Sequence, residues 1–70
     1  MENYGIRLKE ARKAKGLTQT EAAEMIGLHQ QAWQRLERGT LDPKMSTIYT
    51  ICKSLEISAD WLMGLSEDWK

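Results

Sequence analysis

Residues 18–39 read TQTEAAEMIGLHQQAWQRLERG and predict two short helices joined by a tight turn. Thr18 and Glu21 have the spacing of a capping box, in which each side chain accepts a hydrogen bond from the other residue's backbone N–H. Gly27 marks the end of the first helix, because glycine adopts a positive φ there at little energetic cost. The second helix is therefore predicted over about His29–Arg38.

The second helix has an apolar stripe and an unusual polar face. The apolar positions are Ala32, Trp33 and Leu36, and the opposite face carries Gln30, Gln31, Gln34 and Arg35. Glutamine amides bind adenine bidentately, and arginine binds guanine O6 and N7 in the major groove of DNA. The same side chains are also compatible with an ordinary hydrated helix surface that is rich in glutamine. The residues by themselves leave both interpretations open.

This stretch resembles the lambda-repressor-like (xenobiotic-response-element type) helix-turn-helix regulators of bacteria and phages, including Cro-like proteins. The matching residues are Gly16-Leu17-Thr18-Gln19, Glu21, Ala23, Gly27, Gln30, Trp33, Arg35, Leu36, Glu37 and Gly39. Each motif is weak, but their joint spacing is specific, and the resemblance extends from about Tyr4 to Gly64. The resemblance favours reading of DNA bases by the helix predicted over about His29–Arg38. It implies an all-α fold, a compact five-helix lambda-repressor-like domain with the helix-turn-helix at about 18–38.

Length and composition exclude several classes of protein. The length of 70 residues allows one domain, 1–70, and a single cysteine excludes an intrachain disulfide. One Cys and one His offer no catalytic or metal-binding set, and no Gly-rich phosphate loop is present. We therefore expect no enzymatic activity, metal, cofactor or small-molecule ligand. Short apolar runs and the lack of an apolar signal core predict a cytoplasmic protein without membrane contact.

The charge is zero overall but unevenly distributed. A neutral chain counts mildly against nucleic-acid binding, where a basic domain is usual. Residues 7–15 contain five basic residues against Glu10, whereas the part after Gly39 is acidic. Because salt screens charges over roughly 8–10 Å, a basic end can still act locally on DNA.

Apolar spacing predicts the first helix over about Asn3–Lys15 and the fourth over about Lys44–Leu55. The first has an inner stripe of Tyr4, Leu8, Ala11 and Ala14. The fourth has a core stripe of Met45, Ile48, Ile51, Cys52 and Leu55. Pro43 is expected in the first turn of the fourth helix, with Asp42 or Ser46 as its cap.

A fifth helix is predicted near the C-terminal end. Ser58 is its expected cap, Trp61 and Leu62 are expected to point inward, and Gly64 ends it. Glu56, before this helix, stands where the resembled family commonly has glycine, so a mildly strained backbone is expected there.

The resemblance implies roles for individual side chains. Gln30, Gln31 and Arg35 reach base edges, with Gln34 nearby. Gln19 contacts a phosphate and braces the first recognition glutamine, and the helix N-terminus at Thr18 also faces a phosphate. Arg38, Thr40 and Lys44 hold the backbone farther along, although the adjacent acidic Asp42 would repel phosphate.

Four further residues have predicted places in the structure. The resemblance implies that Arg12 and Glu37 form a partly buried ion pair that fixes the first helix against the third. Trp33 anchors the third helix in the core. His29 stands where the family usually has a capping Ser or Thr. Its protonated side chain could contact a phosphate, but a plain surface position is favoured.

The function that the resemblance implies is sequence-specific binding of double-stranded DNA by a transcriptional regulator, most simply a repressor. A homodimer on a palindromic operator is expected, with half-sites about 34 Å apart. Its contacts would come from the fifth helix and the tail, 58–70, where Leu62, Met63, Leu65 and Trp69 are apolar. Such a protein would act in a bacterial or phage-infected cytoplasm, associated with the nucleoid when DNA-bound.

Two alternatives remain. An antitoxin or restriction-modification controller subunit shares this domain and also binds DNA. A protein-interaction module would keep the fold without DNA binding, and the neutral charge and Asp42 favour that alternative. The salt dependence of DNA affinity separates it from a regulator, since proteins that contact phosphates lose affinity steeply as salt rises.

Overall fold

A computed structural model of the protein describes residues 4–69, and within this range it contains five α-helices and no strand. The helices are α1 (Tyr4–Ala14), α2 (Gln19–Met25), α3 (Gln30–Arg38), α4 (Met45–Leu55) and α5 (Ala59–Leu62). The prediction of an all-α, five-helix domain is confirmed, and the predicted helix start at Asn3 lies outside the described residues. No helix in the described range is long and apolar enough to cross a membrane.

The α2–turn–α3 unit has the predicted local structure. The Thr18 hydroxyl accepts from the backbone N–H of Glu21 at 3.1 Å, and the Glu21 carboxylate accepts from the Thr18 N–H at 2.9 Å. Gly27 follows with φ +76°. The N–H of Leu28 then donates to the carbonyl oxygen of Ala23 at 2.9 Å, which closes the end of α2 and sets the direction of α3.

The core is centred on Trp33 and Leu36 of α3, which pack against α1 and α2. Gly5 lets α1 approach α3 closely, because a Cβ at this position would lie 2.4 Å from the carbonyl oxygen of Glu37. Ala14 is exposed, so its predicted place in the inner stripe is wrong. At 3.6 residues per turn it lies roughly 120° around α1 from buried Leu8.

The start of α4 differs from the prediction. Lys44 is its N-cap, with an extended backbone and no side-chain cap hydrogen bond, so Pro43 precedes the helix and neither Asp42 nor Ser46 caps it. The carbonyl of Lys44 accepts from the N–H of Ile48 at 3.0 Å, which places the first turn one residue later than expected. Met45 is consequently the first helical residue and is 77% exposed, outside the core.

The rest of α4 follows the predicted stripe. Ile48, Ile51 and Leu55 are buried, and partly buried Cys52 packs against the core cluster that contains Ile51 and Leu55. Glu56 ends the helix with φ +57°, a left-handed conformation that confirms the expected mild backbone strain.

The C-terminal tail folds back on α5. Ser58 caps α5 as predicted, with its hydroxyl accepting from the Trp61 N–H at 3.0 Å. The Ser58 N–H donates to the carbonyl of Trp69 at 2.9 Å, and the Trp69 ring lies 5.3 Å from that of Trp61. Trp69 is therefore 39% exposed, with one side of its ring covered by Trp61. Leu62 is 3% exposed and belongs to the core, so its predicted dimer contact is wrong.

Arg7 fastens this tail to α1. Its guanidinium donates to the carbonyls of Trp61 at 2.7 Å and Ser66 at 2.8 Å, and it pairs with Glu67 at 3.1 Å. The same guanidinium lies 5.2 Å from the centroid of the Trp61 ring, which is within the range of a cation–π contact. Residues 58–69 thus form one packed unit with α1.

Candidate nucleic-acid interface

Helix α3 presents its polar face to solvent. Gln30, Gln31 and Arg35 are exposed, whereas Gln34 is half-buried. His29 is the N-cap residue, and its side chain is exposed and makes no capping hydrogen bond. Three of the four predicted base-reading side chains therefore lie on the surface of one helix, held from beneath by buried Trp33.

Gln34 belongs to a chain of hydrogen bonds that reaches below this face. Its Nε2 donates to Oε1 of Gln19 at 3.3 Å, and Nε2 of Gln19 donates to Oε1 of Glu37 at 3.1 Å. Because a carboxylate only accepts, Glu37 fixes the orientation of the Gln19 amide, which in turn fixes that of Gln34. Gln19 thus braces the fifth residue of α3, whereas the resemblance implied that it braces Gln30.

Glu37 also forms the predicted ion pair with Arg12. Nε of Arg12 lies 2.6 Å from Oε2 of Glu37, and Nη1 of Arg12 donates to the carbonyl of Leu17 at 2.8 Å. The indole N–H of Trp33 donates to the same carboxylate oxygen. Arg12 is only 8% exposed, so this pair joins α1 to the end of α3 from within the domain.

The pKa of Glu37 reflects two opposing effects. Burial of the carboxylate raises its pKa. The hydrogen bonds from Arg12, Trp33 and Gln19, together with the guanidinium charge, lower the pKa by more than burial raises it. The net result is a pKa below the ordinary value, so Glu37 is ionised at neutral pH. The Arg12–Glu37 contact is therefore a true ion pair, and it supplies a fixed negative acceptor to Gln19.

The basic segment 7–15 is largely neutralised by the fold. Arg7 pairs with Glu67, Arg12 with Glu37, and Lys15 with Glu56 at 3.1 Å. Among residues 4–69, the remaining cations of the segment, Lys9 and Lys13, form no salt bridge. The segment is thus less of a positive surface than its composition suggests.

The predicted phosphate-contacting residues fall into separate places. Gln19 and Arg38 line one groove, together with Lys9 and Gln34. Lys44 lines a different groove, which also contains Asp42. The Thr40 hydroxyl lies 3.4 Å from the carbonyl of Arg35, at the C-terminal end of α3. Thr18 is exposed, but its hydroxyl is already engaged in the capping box.

Sequence reasoning did not find Lys9 as a member of this surface. Lys9 lies ten residues before Gln19 and on another helix, so the two come together only because α1 and α2 both pack against α3. Nothing in the local sequence signals the contact, because a lysine on an exposed helix face is ordinary.

The same region offers no metal site or reactive thiol. The described part of the chain contains no group of three His, Cys, Asp or Glu residues that could hold a metal ion. Burial raises the pKa of the Cys52 thiol, which therefore stays neutral at physiological pH. The chemistry of the surface is that of amides and cations.

Comparison with known proteins places this arrangement among helix-turn-helix proteins. The family model described as "Helix-turn-helix" matches residues 8–62. The HTH-type transcriptional regulator ImmR of Bacillus subtilis (strain 168) is 38% identical over 65 residues, which are 93% of this chain and 51% of that protein. The chain spans about half the length of the first curated relatives that it matches.

Solved structures agree with this assignment. The P22 c2 repressor, crystallised with a synthetic operator, has a TM-score of 0.84 and 25% identity, and the match covers 90% of this chain and 96% of that one. The restriction-modification controller protein C.AhdI from Aeromonas hydrophila has a TM-score of 0.79 and 33% identity, covering 86% of this chain and 87% of its own. The chain belongs to the helix-turn-helix family.

Proposed function

We propose that this chain binds double-stranded DNA sequence-specifically and regulates transcription, as a repressor. The observation that carries the proposal is an exposed α3 face of Gln30, Gln31 and Arg35 on a helix that the Arg12–Glu37 pair holds from behind. A rigid support matters because base readout requires side chains to be held close to their productive geometry. Its relatives and structural neighbours include transcriptional regulators and a repressor with operator DNA, which supports the proposal.

The side chains suit direct readout in the major groove. Arg35 donates two parallel hydrogen bonds to guanine O6 and N7, and Gln30 or Gln31 pairs bidentately with adenine. Gln34 lies beside them but has part of its amide engaged by Gln19. Each bidentate contact contributes about 1–3 kcal/mol of discrimination against the wrong base.

The backbone contacts are proposed around this helix. The proposed phosphate contacts are Gln19, the α2 N-terminus at Thr18, Arg38, Thr40 and Lys44. These contacts set register and orientation, and they carry no sequence information directly.

One domain reads few base pairs, so we propose that two copies bind a palindromic operator in the bacterial or phage-infected cytoplasm. Met63, Leu65 and Trp69 are the proposed dimer contacts, and Leu65 is 75% exposed. Sedimentation of Leu65→Ser at micromolar concentration tests this contact. Met45→Ser is the matched control, because Met45 is 77% exposed on α4. Equal self-association of both variants and the parent chain would exclude Leu65 as a contact.

The experiment that tests DNA reading is selection of bound sequences from random duplex DNA, run with the parent chain, Gln31→Ala and Arg35→Ala. We expect a palindromic consensus, which each variant relaxes at a different base pair. Glu24→Gln, an exposed change on α2, should leave the consensus unchanged. No enrichment at low salt would refute the regulator proposal and favour a protein-interaction module.

A restriction-modification controller is the second candidate, and the likeness to C.AhdI favours it. The two candidates differ in the genes that they regulate. Restriction endonuclease and methyltransferase genes beside this one, with the selected operator in their promoter, would support the controller, and a toxin gene there would support an antitoxin.

A further inference from the structure

Helices α1, α2 and α3 together line a polar groove beside the exposed face of α3. Lys9 of α1, Gln19 of α2, and Gln34, Glu37 and Arg38 of α3 line a cavity of about 280 Å³ that is open to solvent. Gln34 and Arg38 lie one helical turn apart on α3, so the groove borders the face that carries Arg35. We call it the α1–α3 groove.

The α1–α3 groove is positively charged despite containing a carboxylate. Both oxygens of Glu37 accept hydrogen bonds, and its charge is opposed by Arg12 at 2.6 Å. Lys9 and Arg38 form no salt bridge within residues 4–69. The charge that the groove shows to a ligand is therefore that of two cations from different helices.

The two amides of the groove have a fixed polarity. Gln19 directs its NH₂ group to Glu37, and Gln34 directs its NH₂ group to Gln19. Each NH₂ group has two N–H donors, and these hydrogen bonds use one of each. A second N–H on each amide thus remains for a ligand, beside the two cations. A phosphate group matches this set, because it is anionic and its oxygens only accept.

We propose that the α1–α3 groove seats a DNA backbone phosphate, with Lys9 and Arg38 as its charged contacts and Gln19 and Gln34 as its amide donors. The proposal rests on the proposed DNA-binding function and deepens it. It adds Lys9 to the interface and assigns Gln34 to the phosphate backbone instead of to a base. The Glu37 carboxylate orients the donors from behind.

The salt dependence of operator affinity tests the contact. Each phosphate that a protein neutralises contributes about −0.9 to the slope of log K against log salt. Lys9→Met should make the slope shallower by roughly this amount. It should also lower the affinities for operator DNA and for random DNA by similar factors. Lys13→Met is the matched control, because Lys13 is an exposed lysine of α1 that forms no salt bridge within residues 4–69 and does not line the groove. Equal slopes for the two variants would overturn the proposal.

Neutral methylphosphonate linkages, introduced one at a time into the operator, locate the phosphate. At one linkage the neutral substitution should weaken DNA binding by the parent chain more than DNA binding by Lys9→Met, which keeps only Arg38 as a charged contact. The same neutral linkage should also have a smaller effect on the affinity of Gln34→Met than on that of the parent chain. Gln34→Met should select the same base sequence as the parent chain. A relaxed base pair in Gln34→Met would return Gln34 to base reading and contradict its assignment here.

Failure of the groove and failure of DNA binding are distinguishable. If the parent chain binds no duplex, the proposed function is wrong, and NMR titration with inorganic phosphate examines the groove by itself. Shifts of the Gln19 and Gln34 side-chain amide signals in the parent chain, lost in Lys9→Met, would support a phosphate site. Unchanged amide signals would overturn it. Because Lys9 is exposed, Lys9→Met should keep the thermal stability of the parent chain.

Discussion

Replacing Glu37 with glutamine tests whether one carboxylate joins the core to the recognition helix. The carboxylate accepts from Nε and Nη2 of Arg12, from the Trp33 indole and from the Gln19 amide. Glutamine has nearly the same shape but only one acceptor oxygen, and its NH₂ group only donates. The substitution therefore removes charge and acceptors without creating a cavity.

The expected loss follows from these contacts. If the new oxygen stays with Arg12 and Trp33, the new NH₂ group faces the NH₂ group of Gln19. Gln19 must then turn, and its bond to Gln34 is lost as well. Breaking a buried ion pair costs about 3–5 kcal/mol, and retention of one acceptor favours the lower end, about 3 kcal/mol. For a domain of this size that corresponds to a fall in Tm of roughly 12–24 °C.

Urea unfolding followed by circular dichroism measures this loss. Glu24→Gln is the control, since Glu24 is exposed on α2 and its change should stay within about 0.5 kcal/mol. A loss below about 1 kcal/mol for Glu37→Gln would show that water or other groups replace the carboxylate. The inference that Glu37 connects the core to the exposed face of α3 would then be wrong.

The pH dependence of stability provides a second measurement on the same variant. The native pKa of Glu37 is lowered, so its contribution is complete above the unfolded value of about 4.3 and is lost as pH falls through the native pKa. Glu21, whose pKa is lowered by hydrogen bonds from Thr18, acts in the same direction in both chains. The parent chain should therefore lose more stability than Glu37→Gln below about pH 4. Parallel curves would contradict the pKa shift.

Two further substitutions test the backbone. Gly5→Ala should destabilise the domain by about 2 kcal/mol or more in urea unfolding, because its Cβ would lie 2.4 Å from the Glu37 carbonyl oxygen and α1 would have to move; an unchanged midpoint would show that the helices separate easily. Glu56→Gly should raise stability by roughly 0.5 kcal/mol, because glycine adopts φ +57° without strain. Glu56→Ala removes the same exposed pair with Lys15 without relieving the backbone, so it should be the less stable of the two.

The sequence predicted what depends on neighbouring residues. The capping box of Thr18 and Glu21 and the Ser58 cap need only a few residues of chain, and both are confirmed. The predicted start of α4 was wrong because Lys44 is the N-cap and makes no side-chain cap hydrogen bond. The sequence therefore contains no capping side chain that marks this helix start. The Arg12–Glu37 pair joins distant helices and was found only through the resemblance to a family.

The details of the candidate site depend on packing that the sequence does not encode locally. Gln34 is predicted as a fourth base reader because it shares a face with Arg35. Its bond to Gln19 depends on the crossing of α2 and α3, and the place of Lys9 depends on α1 as well. The contact between Trp69 and Trp61 was not predicted for the same reason, since the two rings meet only when the chain turns back.

The zero net charge of the chain is a poor guide to its behaviour toward DNA. Three acidic residues form salt bridges with Arg7, Arg12 and Lys15, which lie on or beside α1. On α3 itself the single acidic residue is the paired Glu37, so Arg35 and Arg38 leave this helix with a local positive charge. Because screening confines electrostatic attraction to roughly 8–10 Å, the proposed phosphate contacts depend on this local excess more than on acidic residues farther away. The composition that weakly favoured an interaction module is therefore compatible with a DNA-binding surface.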